Sequence, residues 1–215
     1  MRESTRNGAY WEDGFTGDKD FDLETYPTVQ RTVEEAREGP IYLLNWGPMN
    51  EISHAVKWLC DHGEDATLNN ITIISHSTRK EDNSWNYSGD PNAADYIHKM
   101  ARKGSVKFYE LGASGNPMCR QGEGELDEQL MKSSYLGKVL GLKWERNGPD
   151  FSDGVTFLVL LDYFGGLEPL SSSGEWDPDF TRRAKESLAS IYQEMERRAA
   201  AAASTRENLK ISENP

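Results

Sequence analysis

The order of apolar and polar positions predicts strands separated by helices. Ile41-Tyr42-Leu43-Leu44-Asn45-Trp46 and Ile71-Thr72-Ile73-Ile74 are nearly continuous apolar runs, the pattern of strands buried on both faces. Val106-Lys107-Phe108-Tyr109 reads as a third strand. Helices alternate with them. Thr28 to Glu38 is helical in composition and is stopped by Gly39-Pro40. Asn50, as N-cap, starts a helix whose stripe Ile52, Ala55, Val56, Leu59 and Cys60 keeps helical spacing until Gly63. Asp90-Pro91 opens the next, with Ala93, Ala94, Ile97, Met100 and Ala101 on its apolar face and Gly104 at its close. Strand, helix, strand, helix, strand is the βαβ alternation of a parallel sheet.

The remaining stretches carry weaker patterns. The first 26 residues, with Gly8, Gly14 and Gly17 among Asp13, Asp18, Asp20 and Asp22, have no period and read as loop. Ser75 to Gly89 and Gly112 to Gly124 are polar loops, and Glu125 to Leu140 is helical. Val155 to Leu161 reads equally as strand or buried helix, and Thr181 to Ala203 as a final helix. The expectation is one α/β domain over residues 1–203, mainly parallel sheet with flanking helices, and a disordered tail over 204–215.

Composition narrows the function classes. A chain of 215 residues can build a core without disulfide or metal staples. Its net charge of −12 argues against a nucleic-acid partner, because phosphate contacts need a basic stripe. No apolar run of 18 residues exists, so no membrane helix is expected. Cys60 and Cys119 are too few for a disulfide scaffold, and Met1-Arg2-Glu3-Ser4 lacks the apolar core of a secretory signal. A cytoplasmic, reducing location is the expectation.

Ligands of open parallel sheets bind beyond the carboxyl ends of the strands. Three segments fall there: Gly47 to Asn50, Ser75 to Thr78, and Gly112 to Gly115. All are small and polar, which suits a cleft floor and equally suits turns and caps. His76 ends the second strand, placed to protonate a leaving group or to bond a carboxylate. His54 lies roughly 200° around its helix from Ile52 and is expected to face solvent. His98 reads as an ordinary helix residue, and Cys60 with His62 lacks the second pair of a zinc site. Asp18, Asp20 and Asp22 alternate like calcium ligands, but Leu23 and Val29 stand where an EF-hand needs Gly and Glu.

Three segments together resemble the nucleoside hydrolases. Trp46-Gly47-Pro48-Met49-Asn50 is similar to a strand-to-helix turn of that family, and Trp85-Asn86-Tyr87-Ser88-Gly89-Asp90-Pro91 to its aromatic-Asn segment. Phe151-Ser152-Asp153-Gly154 resembles its late metal-binding turn. The matches occur in the family's order and cover residues 1–166. Met1, Ser4, Trp11 and Phe15, with Pro149 to Asp153, are most similar to a related branch associated with carbohydrate metabolism.

The resemblance implies a hydrolase acting on the N-glycosyl bond of a nucleoside or related sugar, with Ca²⁺ as cofactor. Asp153 and the Asn50 carbonyl would hold the metal, Asn83, Trp85 and Asn86 the sugar, and His76 is the catalytic candidate. The departures from the family are equally specific. Ser84 replaces its Glu, Ser152 its leaving-group His, and no Asp-rich first strand is present. One βαβ unit carrying the main calcium ligands is therefore expected to be missing here, either upstream of this chain, which would then be a fragment, or on another chain. The alternative is a catalytically inactive sugar- or nucleoside-binding module. A sheet lacking that unit would bare an apolar strand edge, so a homo-oligomer or another partner is expected unless Met1 to Tyr26 folds back over it.

Overall fold

Three parallel strands with helical crossovers form the centre of the computed structural model, which describes residues 14–17, 20–111, 156–157, 159–161, 194, 197–198 and 201. Strands β1 (Ile41–Asn45), β2 (Ile71–Ser75) and β3 (Lys107–Glu110) lie side by side in the order β1-β2-β3. The helices are α1 (Pro27–Glu38), α2 (Asn50–Asp61), α3 (Asp65–Leu68), α4 (Trp85–Ser88) and α5 (Pro91–Arg102). Single 3-10 turns occupy Leu23–Thr25 and Lys80–Asp82. Parallel neighbours cannot be joined by a tight hairpin, so α2 with α3, then α4 with α5, make the two crossovers. An α/β fold with a parallel sheet is thus what the alternation predicted. By compactness the chain divides into two units, Met1–Ser114 with Thr156–Asp177 and Gly115–Val155 with Pro178–Pro215. The described residues of the second, Glu194, Arg197, Arg198 and Ala201, are helical.

The register pairs Leu43 with Ile73 and Ile73 with Phe108, and alternation turns these residues to one face. There they join Val33 of α1, Leu59 of α2 and Ile97 of α5 in a single core. The opposite face carries Tyr42, Thr72 and Lys107, and Tyr42 is 57% exposed. The sequence predicted that β1 is buried on both faces, and this is corrected. Helix α2 packs against both α1 and α5, the three share the core on one side of the sheet, and β1 is an outer strand of the described sheet. The central strand β2 is buried at every position except Thr72.

The irregular segment before α1 contributes to the core. Phe15 is buried with its ring 5.0 Å from His54 and 4.9 Å from Tyr96, so it packs on α2 and α5 rather than along a strand edge. Its backbone N–H donates to Asp90 Oδ2 at 2.6 Å. The same carboxylate caps α5 by accepting from Ala93 N at 3.0 Å, and it accepts from Asn50 Nδ2. Asn50 is therefore not the expected N-cap; it is the first residue of α2, with Met49 before it and its amide drawn to Asp90. A Cβ at Gly89 would lie 2.5 Å from Pro48 Cγ, so the loops before α2 and α5 abut with no room for a side chain between them.

On the outer surface, Arg37 donates through Nε and Nη2 to the two Glu64 oxygens at 3.0 and 2.5 Å. This guanidinium holds the Glu64 carboxyl below the usual carboxylate range.

Two stability tests follow from these contacts. Asp90→Ala removes a helix cap, worth about 0.5–2 kcal/mol, and strands the buried Phe15 N–H, worth about 1–3 kcal/mol. Urea unfolding should show a combined loss of about 2–4 kcal/mol, with Asp90→Asn keeping the helix cap through Oδ1 but still losing the Phe15 bond, because its NH₂ group cannot accept. Glu64 is depressed in the folded state, so its contribution is present above the ordinary value of 4.5 and is lost as pH falls through the lowered one. The pair lies at the surface, with Arg37 exposed and Glu64 partly buried, so Glu64→Gln should cost no more than about 1 kcal/mol at neutral pH. The difference from the unaltered chain should vanish in urea titrations in acid.

Candidate functional site at the strand ends

Alternation continues past the core and changes its chemistry. Asn45, Ser75 and Glu110 follow Leu43, Ile73 and Phe108 on the same face, are neighbours in register, and are all buried. An apolar face thus ends in a polar row at the carboxyl edge of the sheet. Buried polar groups are costly unless hydrogen-bonded, and these are bonded. Asn45 Nδ2 donates to Ser75 Oγ at 2.9 Å and to the Gly47 carbonyl at 2.7 Å. Glu110 Oε2 accepts from the Thr78 backbone N–H at 3.3 Å and from the Thr78 hydroxyl.

His98 completes that network. Its Nε2 lies 3.1 Å from Thr78 Oγ1 and 3.6 Å from Glu110 Oε2. A hydroxyl has one proton, and here it goes to the carboxylate, so the ring N–H is the donor to Thr78. The order is His98 to Thr78 to Glu110. The expectation of an ordinary helix residue is corrected, since His98 is buried. The sequence held a signal for it, because Ala94, Ile97, His98 and Ala101 share one helical stripe.

His54 is also corrected. It is 3% exposed rather than solvent-facing, its ring set edge-on to Phe15 and Phe21 at 5.0 and 5.3 Å. Its Nδ1 donates to the Asn50 carbonyl at 2.7 Å. The segment before α1 buries this side of α2, which the helix's own stripe could not reveal.

Beyond β2 the chain turns sharply. His76, Ser77 and Thr78 are buried, and Ser77 adopts a left-handed φ of 54°. For a residue with a Cβ this conformation costs about 1–2 kcal/mol, and side-chain bonds from the following segment hold it. The Ser84 hydroxyl donates to the Ser77 carbonyl, and Ser84 Oγ caps α4 at Tyr87 N, 3.4 Å away. Successive helical residues point about 100° apart. One turn of α4 therefore buries Asn86 while leaving Trp85 73% exposed. Asn86 Nδ2 donates to the His76 carbonyl at 3.0 Å and lies 3.3 Å from His76 Nε2.

The residues picked from the sequence thus separate. His76 and Asn86 are in contact, and Trp85 stands beside them with its indole toward solvent. Asn83 is exposed and holds a left-handed φ of 46°, a turn conformation that Asn tolerates well. Asn50 gives its amide to Asp90 and its carbonyl to His54. Asp153 lies outside the described residues. Trp46, half-exposed after β1, donates from Nε1 to Thr156 Oγ1 at 2.8 Å, and Thr156, Phe157, Val159 and Leu160 are helical. Besides His98, the sequence reading missed Glu110 and Glu51. Glu110 shares its face with Phe108 two residues earlier, a period-two signal. Glu51, in the first turn of α2, has its carboxyl pushed above the usual range by burial.

Among the described residues, no three His, Cys, Asp or Glu side chains are grouped so as to hold a metal ion. Comparisons with protein-family models, curated proteins and solved structures gave no match.

The two neighbours in α4 should respond oppositely to truncation. Asn86→Ala leaves the buried His76 carbonyl without its donor and should destabilise by about 1–3 kcal/mol. Trp85→Ala, at an exposed position, should change stability by no more than about 0.5 kcal/mol. Paired thermal and urea melts check both.

Proposed function

We propose that the carboxyl edge of this sheet binds a small, neutral, polyhydroxylated ligand, a sugar or nucleoside. The observation that carries the reading is Trp85, whose indole stands in solvent beside the buried His76–Asn86 pair at the end of the central strand. Ligands of open α/β sheets occupy this edge. An exposed indole offers a flat apolar surface for a sugar ring, while the hydroxyls and amides of the strand-end segments match vicinal hydroxyls as donors and acceptors. The net charge of −12 disfavours a phosphorylated ligand. The likeness of Trp46 to Asn50 and Trp85 to Pro91 to nucleoside hydrolase segments supports the same ligand class. In this reading Trp85 covers the ring, and His76 and Asn86 form a fixed polar wall.

Hydrolysis of a glycosidic bond is the second reading, and one observation favours it. Glu51 is a partly buried carboxyl on the strand-end side of α2, and burial makes it keep its proton to higher pH than an ordinary carboxyl. That is the property required of a leaving-group acid.

Tryptophan fluorescence titration with ribose, unphosphorylated nucleosides and oligosaccharides tests the binding reading. Saturable quenching by at least one of them is expected, with its loss in Trp85→Ala at unchanged melting behaviour. No response to any of these ligands overturns the proposal. Release of reducing sugar from a bound nucleoside, abolished in Glu51→Gln, would establish hydrolysis, and binding without release leaves the module reading alone.

A further inference from the structure

Asn86 meets His76 through a single atom. Nδ2 lies 3.0 Å from the His76 carbonyl oxygen and 3.3 Å from ring Nε2, and both residues are buried. The carbonyl fixes which way the amide points, because only an NH₂ group complements it and Oδ1 there would oppose a second acceptor. That NH₂ group has two hydrogens, one for the carbonyl and one for the ring. At this contact Nε2 faces a donor, to which its lone pair is complementary. A neutral imidazole carries one ring proton, which then resides on Nδ1.

We infer that Asn86 is a positioning residue that holds His76 as the Nδ1–H tautomer. The local structure is built for this. Two consecutive carbonyls beyond β2 receive side-chain donors from one short segment, His76 from Asn86 and Ser77 from Ser84. The ring is thereby tied to the turn that carries it. With Nε2 engaged as an acceptor, His76 does not deliver a proton from that atom to a leaving group. It serves the site as a fixed wall whose polarity is set from behind. That role rests on the sugar- or nucleoside-binding reading, whereas the tautomer does not.

Long-range ¹H–¹⁵N correlation spectra of the histidine-labelled 215-residue chain test it, recorded at about pH 8, above the ordinary histidine range. His76→Gln identifies the His76 signals among those of the four histidines. The expected pattern is a protonated Nδ1 and an unprotonated Nε2. Asn86→Asp replaces the donor with an acceptor and should move the proton to Nε2. A protonated Nε2 in the unaltered chain overturns the inference, as does an unchanged pattern in a folded Asn86→Asp variant. Should that variant fail to fold, the spectrum of the unaltered chain alone decides. Failure to bind any sugar would remove the functional reading and leave the tautomer standing. A protonated Nε2 in a chain that binds sugar would do the reverse.

Discussion

The buried carboxylate of Asp90 is the constraint on which the arrangement of this unit depends. It accepts from the first turn of α5, from the amide of Asn50 at the start of α2, and from the backbone of Phe15. Two crossover helices and a segment without regular structure are thereby fixed to one point. The contact of Gly89 with Pro48 brings the same two loops together from the other side. A carboxylate can accept several donors at once, and here each of those donors would be left unpaired in the interior without it. Phe15 is consequently held between His54 and Tyr96, which completes the helical side of the core.

The strand ends follow a second rule, that a buried polar group persists only with a partner. Asn45 bonds Ser75, Thr78 links His98 to Glu110, and Asn86 and Ser84 take the carbonyls of His76 and Ser77. The outcome is a polar edge with its side chains already oriented before any ligand arrives. The exposed indole of Trp85 is the one large apolar group of α4 left in solvent.

Residues that the family resemblance points to also make bonds within the scaffold. Asn50 is used inside the scaffold by both its amide and its carbonyl, and Asn86 has its amide nitrogen committed to His76. Trp85 by contrast stays exposed, and burial raises the Glu51 carboxyl above its ordinary value.

By itself the sequence determined the order of strands and helices, their parallel arrangement, and the terminators Gly39, Gly63 and Gly104, because period and punctuation are local properties of the chain. It also contained the buried places of Glu110 and His98, legible as a period of two after Phe108 and as membership of the stripe with Ala94 and Ala101. Only the tertiary structure decided that β1 exposes Tyr42, that His54 lies between Phe15 and Phe21, and that Asn50 turns to Asp90 rather than capping its own helix. Periodicity records which side of an element is apolar. It cannot record which distant segment arrives on the other side, and a polar side chain takes its role from the partner that tertiary packing brings to it.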